Sequence, residues 1–191
     1  MKILIILGHP DKQGLCSQLF ESYIKGAENG GHEVRAVQIR DLDFDPILHR
    51  GYRAIQELEP DLKKVQADIL WAQHLVFVFP IWWASAPALL KGFFDRIMLP
   101  GFAFRFRKNS SLWDKLLKGR SARLIVAMGG FNWYYNLFMC RSGVKTVRDG
   151  ILKFCGVSPV RVTQIDRSEK LLDKKEKYWI EKIRQMGQMG Q

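Results

Sequence analysis

The stretch Leu75-Val76-Phe77-Val78-Phe79-Pro80-Ile81-Trp82-Trp83-Ala84-Ser85-Ala86-Pro87 changes its period halfway along. Leu75 to Phe79 is an unbroken apolar run, the pattern of a strand buried on both faces of a sheet. Past the loop, Leu89, Leu90, Phe93, Phe94 and Ile97 recur at three- and four-residue spacing and form the buried stripe of a helix. Pro87 suits the first turn of that helix, and Lys91 and Asp95 form an i, i+4 pair on its other side. The stretch opens a βα unit.

The same unit recurs on either side. Ile3–Leu7 is a second continuous apolar run, followed by Leu15, Leu19, Phe20, Tyr23, Ile24 and Ala27 at helical spacing and a stop at Gly30-Gly31. Glu33–Ile39 alternates like a strand nearer the sheet edge, and residues 55–73 read as helical with Pro60 as an early interruption. Downstream, Arg123–Met128 predicts a fourth strand and Lys145–Phe154 a helix, with Gly156 just past its end. Val160–Ile165 predicts the fifth strand. Lys170–Arg184 predicts a closing helix with Leu172, Trp179 and Ile183 inward. Strands alternating with helices imply right-handed crossovers and a parallel sheet covered on both faces. The expected fold is α/β: a doubly wound, five-stranded parallel sheet of order 2-1-3-4-5, in one domain over residues 1–191. Its ligand is expected at the carboxyl ends of the strands, where the order reverses.

Composition narrows the function. The 191 residues are 47% hydrophobic and 26% charged, as in an ordinary globular chain. Thirty Lys and Arg against nineteen Asp and Glu give +11, with a basic stretch from Arg96 to Arg123 that holds Asp114 as its one acid. Such a stretch reads as a solvated face, or as an attraction for an anionic cofactor, an acidic partner or a peripheral lipid surface. No recognition motif accompanies it, so nucleic acid is not expected. The uncharged stretch Ile69–Leu90 changes period too soon to span a membrane. Gly8-His9-Pro10-Asp11 ends the first apolar run before it reaches the length of a secretory signal. Cys16, Cys140 and Cys155 are too scattered for a disulfide framework or a zinc site. A cytoplasmic protein is expected.

Three loops follow the strand ends. Gly8-His9-Pro10-Asp11-Lys12-Gln13-Gly14-Leu15-Cys16-Ser17 runs into a helix whose first N–H groups, near Leu15, Cys16 and Ser17, can hold a phosphate with help from His9 and Lys12. Its glycine spacing fits neither a Walker loop nor a dinucleotide fingerprint, and a simple helix cap accounts for it equally well. In the loop from Pro80 and Ile81 onward, the adjacent Trp82 and Trp83 cannot both enter one core. At least one should wall a pocket or an interface, unless both fill a helix–sheet gap. Gly129 and Gly130 in the third loop offer N–H groups to a developing negative charge, with the aromatic run Phe131 to Tyr135 behind them; a plain turn with an apolar plug is the competing account.

From Phe79-Pro80-Ile81-Trp82-Trp83 through Pro87-Ala88-Leu89-Leu90-Lys91-Gly92-Phe93-Phe94-Asp95-Arg96 and on to Gly101-Phe102-Ala103-Phe104, the chain resembles the flavodoxin-like NAD(P)H:quinone oxidoreductases. Gly8-His9-Pro10-Asp11 and Gly129-Gly130 carry the resemblance less specifically. It implies a tightly bound, non-covalent flavin, FAD or FMN, and NADPH or NADH as hydride donor. It also implies a homodimer with active sites at the subunit interface and a quinone-like aromatic acceptor. His9, Leu15, Cys16 and Ser17 would then serve the flavin phosphates, Pro80, Ile81, Trp82 and Trp83 the ring, and Gly129 and Gly130 its pyrimidine side. Tyr135 matches the family's catalytic tyrosine, and Phe104 and Phe106, with Trp83, the acceptor pocket. The family's Ser-Phe-Asn helix start is Gly14-Leu15-Cys16 here, and its threonine before the glycine pair is replaced by Ala127-Met128. The histidine that partners the tyrosine in some members has no counterpart. Arg141 is the candidate to offset charge on the reduced ring.

Other classes fit less well. Cys16 at a helix start is similar to the nucleophile placement of low-molecular-weight tyrosine phosphatases, but the arginine needed six residues later is Ser22. A flavodoxin-type electron carrier should be acidic. A flavin-site regulatory subunit of a membrane transporter would use the basic stretch to meet its partner.

Overall fold

The computed structural model describes residues 1–191, the side chain of Lys170 excepted. In chain order the elements are β1 (Lys2–Leu7), α1 (Leu15–Asn29), β2 (Glu33–Gln38), α2 (Pro60–Trp71), β3 (His74–Pro80), α3 (Ala88–Ile97), β4 (Phe104–Phe106), β5 (Trp113–Lys115), β6 (Ser121–Ala127), α4 (Asn132–Leu137), α5 (Ser142–Lys145), a π-helix (Thr146–Lys153), β7 (Val160–Ile165) and α6 (Asp173–Gln188). One five-stranded sheet has the order β2-β1-β3-β6-β7 with every pair parallel. With the small β4–β5 hairpin set aside, this is the expected order 2-1-3-4-5. No helix among the described residues is long and apolar enough to cross a membrane.

The apolar runs divide by parity. Leu4, Ile6, Phe77, Phe79, Leu124 and Val126 face a core closed by α2, α3 and the π-helix, whereas Ile3, Ile5, Leu7, Val76, Val78 and Ile125 face α1 and α6. Two buried faces explain why these strands are continuously apolar instead of alternating.

Several expectations are corrected. Pro60 begins α2 instead of interrupting it, since a proline at the first helical position forgoes an N–H that has no partner there. Leu89 is half-buried, and Arg96 replaces it on the inner face of α3. The segment read as a helix over 145–154 is mostly π-helical, and Leu172 is exposed just ahead of α6. The antiparallel hairpin β4–β5 had no counterpart in the reading of the sequence. It is anchored by Trp113, which stacks on Phe154 at 4.4 Å and donates from Nε1 to the Phe154 carbonyl.

The basic stretch is only partly a surface. Arg96 is fully buried, with both its terminal nitrogens on the Glu59 carboxylate at 3.0 Å and further bonds to the carbonyls of Asp45 and Glu57. It clips residues 45–59 onto α3. Arg123 is buried and donates to Thr163 Oγ1, Arg120 donates to the carbonyls of Ile69 and Leu70 at the end of α2, and Arg107 pairs with Asp114.

Candidate active site

The parallel sheet delivers the loops after β1, β3 and β6 to one edge. The first is folded back on itself: Asp11 N donates to His9 Nδ1 at 2.9 Å and Gln13 N to Asp11 Oδ1 at 3.1 Å. His9 therefore accepts at Nδ1, which leaves its proton on Nε2. The ring meets Trp82 edge-on at 5.4 Å between centroids, so the first and second loops touch. Lys12 lies 3.8 Å from Asp41 and is solvated.

Behind this loop, α1 starts at Leu15 after Gly14, whose φ of 102° only glycine adopts freely, and no side chain caps the helix. Ser17, in the first turn, is buried, and its Oγ has no hydrogen-bond partner among the described residues. A buried hydroxyl without a partner is uncommon. Cys16 is buried as well, and burial pushes its thiol up to about 12. A thiol held neutral is no nucleophile, which removes the phosphatase reading.

The second loop is a tight turn. Trp82 N donates to Ser85 O and Ser85 N to Trp82 O, both at 2.9 Å, while Trp83 and Ala84 take positive φ of 50° and 58°. Two consecutive left-handed residues make a turn of type I′, which favours Asn-Gly and here contains Trp-Ala. Left-handed backbone at a bulky residue is destabilising and is held only where the surroundings fix it. The Ala84 carbonyl accepts from Gly143 N and Ser142 Oγ, each at 2.7 Å. A Cβ on Gly143 would lie 2.7 Å from Ser85 Cα, so only glycine lets α5 approach this closely. Trp83 is held fully exposed, Trp82 is partly exposed, and Ile81 is buried.

Gly129 and Gly130 are exposed at the end of β6, and Gly130 has open space where a Cβ would stand. Their loop is pinned by Ser168 N to Met128 O at 2.9 Å and Arg167 N to Gly130 O at 3.1 Å. Tyr135 is buried, and its hydroxyl accepts from Val144 N at 3.1 Å. Burial raises its pKa, against the N–H groups of Val144 and Gly143 and the Arg141 charge, which lower it. The hydroxyl is thus used on the start of α5. The Arg141 guanidinium donates from Nε to Asn136 Oδ1 at 2.9 Å. Phe104 is buried against Phe154 and Phe106, with Phe106 exposed. Both line a cavity of about 680 Å³ between α3, the hairpin and the π-helix, together with Tyr52, Phe94 and Ile151. None of His9, Trp83, Gly129 or Gly130 lines it.

The structure therefore brings His9, Leu15, Cys16, Ser17, Pro80, Ile81, Trp82, Trp83, Gly129 and Gly130 to the same edge of the sheet. It leaves Phe104 and Phe106 apart from them within one chain. Ser142 and Gly143, which fix the tryptophan turn, were not foreseen. A serine-glycine pair at a helix start was the available signal.

The family described as flavodoxin-like fold matches residues 1–188. A ribosyldihydronicotinamide dehydrogenase-like protein, traD, of Penicillium crustosum is 31% identical over 162 residues, covering 71% of this chain and 60% of that protein. NAD(P)H dehydrogenase (quinone) 1 of Cavia porcellus is 27% identical over 181 residues, 81% of this chain and 64% of its own. The chain thus spans less than two thirds of these relatives' length. The crystal structure of Smu.1420 from Streptococcus mutans UA159 superposes with a TM-score of 0.85 at 28% identity, covering 99% of this chain and all of that one. The chain belongs to the flavodoxin-like family, and within it is similar to the NAD(P)H quinone oxidoreductases.

Proposed function

We propose that the protein is a flavin-dependent oxidoreductase that moves two electrons from NADPH or NADH to a quinone-like aromatic acceptor. The observation that carries this reading is the uncapped start of α1 with the unpartnered, buried hydroxyl of Ser17 in its first turn. Such a hydroxyl costs about 1–3 kcal/mol when nothing satisfies it. A phosphate on the helix N-terminus supplies the missing acceptor. The names of the relatives point to the same chemistry.

A flavin, FMN or FAD, fits these residues and, when bound, supplies reversible two-electron chemistry that no side chain here can. His9, through Nε2–H, and the Leu15–Ser17 turn would hold its phosphate. The Pro80–Trp83 turn would lie along the ring, with Gly129 and Gly130 at the opposite edge, where backbone can approach closely. Trp83 offers an uncovered indole against which a flat donor or acceptor can stack. Tyr135 fixes α5, and α5 fixes the tryptophan turn, so in this reading Tyr135 is a positioning residue. Arg141, whose charge acts on the Tyr135 hydroxyl, would supply positive charge near the ring.

A homodimer belongs to the reading. Phe104 and Phe106 face a large apolar cavity away from the three loops, and Tyr52 and Ile55 project from the clipped 45–59 segment into solvent. A second copy seated there would cover these side chains and bring its Phe104 and Phe106 to this chain's Trp83. The test is steady-state oxidation of NADPH or NADH by the flavin-loaded protein, with a benzoquinone or naphthoquinone as acceptor. Turnover that falls at least about tenfold in Trp83→Ala, with flavin still bound, is expected for a lost stacking contact. No quinone-dependent turnover by the flavin-loaded protein would overturn the assignment.

A further inference from the structure

The turn that follows β7 carries a carboxylate to the glycine pair. Arg167, at a left-handed φ of 50°, donates its N–H to the Gly130 carbonyl at 3.1 Å, and Ser168 N–H donates to the Met128 carbonyl at 2.9 Å. These two bonds lay a single 3-10 turn, Ser168–Lys170, along the backbone of residues 128–130. Glu169, at the centre of the turn, packs on Gly129: a Cβ there would lie 3.3 Å from Glu169 Oε1 and 3.4 Å from its Cδ.

Glu169 is exposed, and no cation among the described side chains pairs with it. Its neighbours are engaged elsewhere. Asp166 Oδ2 accepts from Asn132 N at 3.4 Å, and the Arg167 guanidinium lies 5.4 Å over the Phe131 ring. The fold gains no ion pair from this carboxylate, yet two backbone bonds hold its turn against the glycine that the flavin reading places at the ring's pyrimidine side.

The inference rests on that reading. A hydride added to the neutral oxidised ring brings two electrons and one proton and leaves one net negative charge, which departs when the hydride passes to the acceptor. A neighbouring carboxylate opposes a like charge and leaves the neutral form nearly untouched. A ring laid on the glycine pair would shed water from beside the carboxylate and strengthen the effect.

We infer that Glu169 sets the potential of the bound flavin by opposing its reduced form. Charge near the ring is one means by which a protein tunes this cofactor. The N–H groups of Gly129 and Gly130 and the Arg141 charge favour the reduced ring, and alone they would ease reduction by the nicotinamide while making the hydride harder to pass on. Glu169 offsets them, so that the second transfer stays favourable.

The experiment is a reductive titration of the flavin-loaded protein beside a dye of known potential, in the parent, Glu169→Gln, Glu169→Asp and Glu28→Gln. Glu28 is an exposed carboxylate at the far end of α1 and controls for the loss of one negative charge. Glu169→Gln should bind reduced flavin, relative to oxidised, about tenfold more tightly than the parent, which raises the two-electron potential by about 30 mV. Glu169→Asp, which keeps the charge, should shift less, and Glu28→Gln should match the parent. Urea unfolding of Glu169→Gln should follow the parent. An unchanged potential in Glu169→Gln, or an equal rise in Glu28→Gln, overturns the inference and leaves the flavin assignment standing. Equal changes in affinity for oxidised and reduced flavin also overturn it, since they mark a structural role. A parent that takes up no flavin overturns both.

Discussion

At the scale of single residues, the polar groups inside the fold divide into those that hold it together and those kept for something else. Ser17 is of the second kind. Ser17→Ala should leave the ligand-free protein as stable as before, or more stable by about 1 kcal/mol, because it deletes an unsatisfied hydroxyl. The same change should weaken flavin binding about tenfold by removing one bond to a charged group. Urea unfolding and flavin fluorescence titration read the two effects, and a destabilised variant with unchanged affinity would place Ser17 in the scaffold instead. His74 is bonded at Nδ1, although its Nε2, like the Ser17 hydroxyl, is buried without a partner. It is buried with Nδ1 on Ser121 Oγ at 2.7 Å, and burial, aided by the Arg123, Arg161 and His32 charges, lowers its pKa from 6.5 to about 4. The unfolded chain takes up this proton first as pH falls, so the neutral ring's contribution is complete above pH 6.5 and is lost as pH drops toward 4. Between pH 7 and 4 the parent should lose about 3 kcal/mol more stability than a His74→Gln variant. Parallel losses in the two proteins would contradict this.

At the scale of elements, α5 is a short helix with a disproportionate effect. Its first residues hold the left-handed Trp83-Ala84 turn through two bonds to one carbonyl, and its Val144 N–H holds Tyr135. Gly143→Ala would set a Cβ against backbone at Ser85 that cannot yield without moving the turn. A loss of about 1–3 kcal/mol in urea unfolding is expected, with weakened flavin binding, and Ser142→Ala should do less because the Gly143 bond remains. Wild-type stability and affinity in Gly143→Ala would show that the turn holds itself. The elements legible in the sequence were those with a long period: β1, β3, β6, α1 and α3 announce themselves by runs or stripes of apolar residues. The hairpin did not, because two strands of three residues with charged Arg105 and Asp114 carry no period to read. The π-helix has nearly the apolar spacing of an α-helix and differs in its backbone bonds. Arg96 was misread for a related reason: charge in a sequence suggests surface, and only the fold reveals the Glu59 carboxylate and two carbonyls that let a guanidinium be buried.

At the scale of the whole molecule, the strand order sets where chemistry can occur. With β1 and β3 adjacent at the reversal of order, the loops after β1, β3 and β6 share one edge, and the residues those loops contributed to the sequence reading lie there. Phe104 and Phe106, proposed for the acceptor, lie at a separate cavity of the same chain, as expected if they are reached across a dimer. The central claim is that this edge holds a redox-active flavin. The most direct test is an absorption spectrum of the purified protein loaded with FMN or FAD, recorded without oxygen before and after NADPH or NADH is added. A band near about 450 nm that bleaches on addition and returns with a quinone is the expected result. A protein that binds neither flavin, or binds one that the nicotinamide leaves oxidised, would contradict the account.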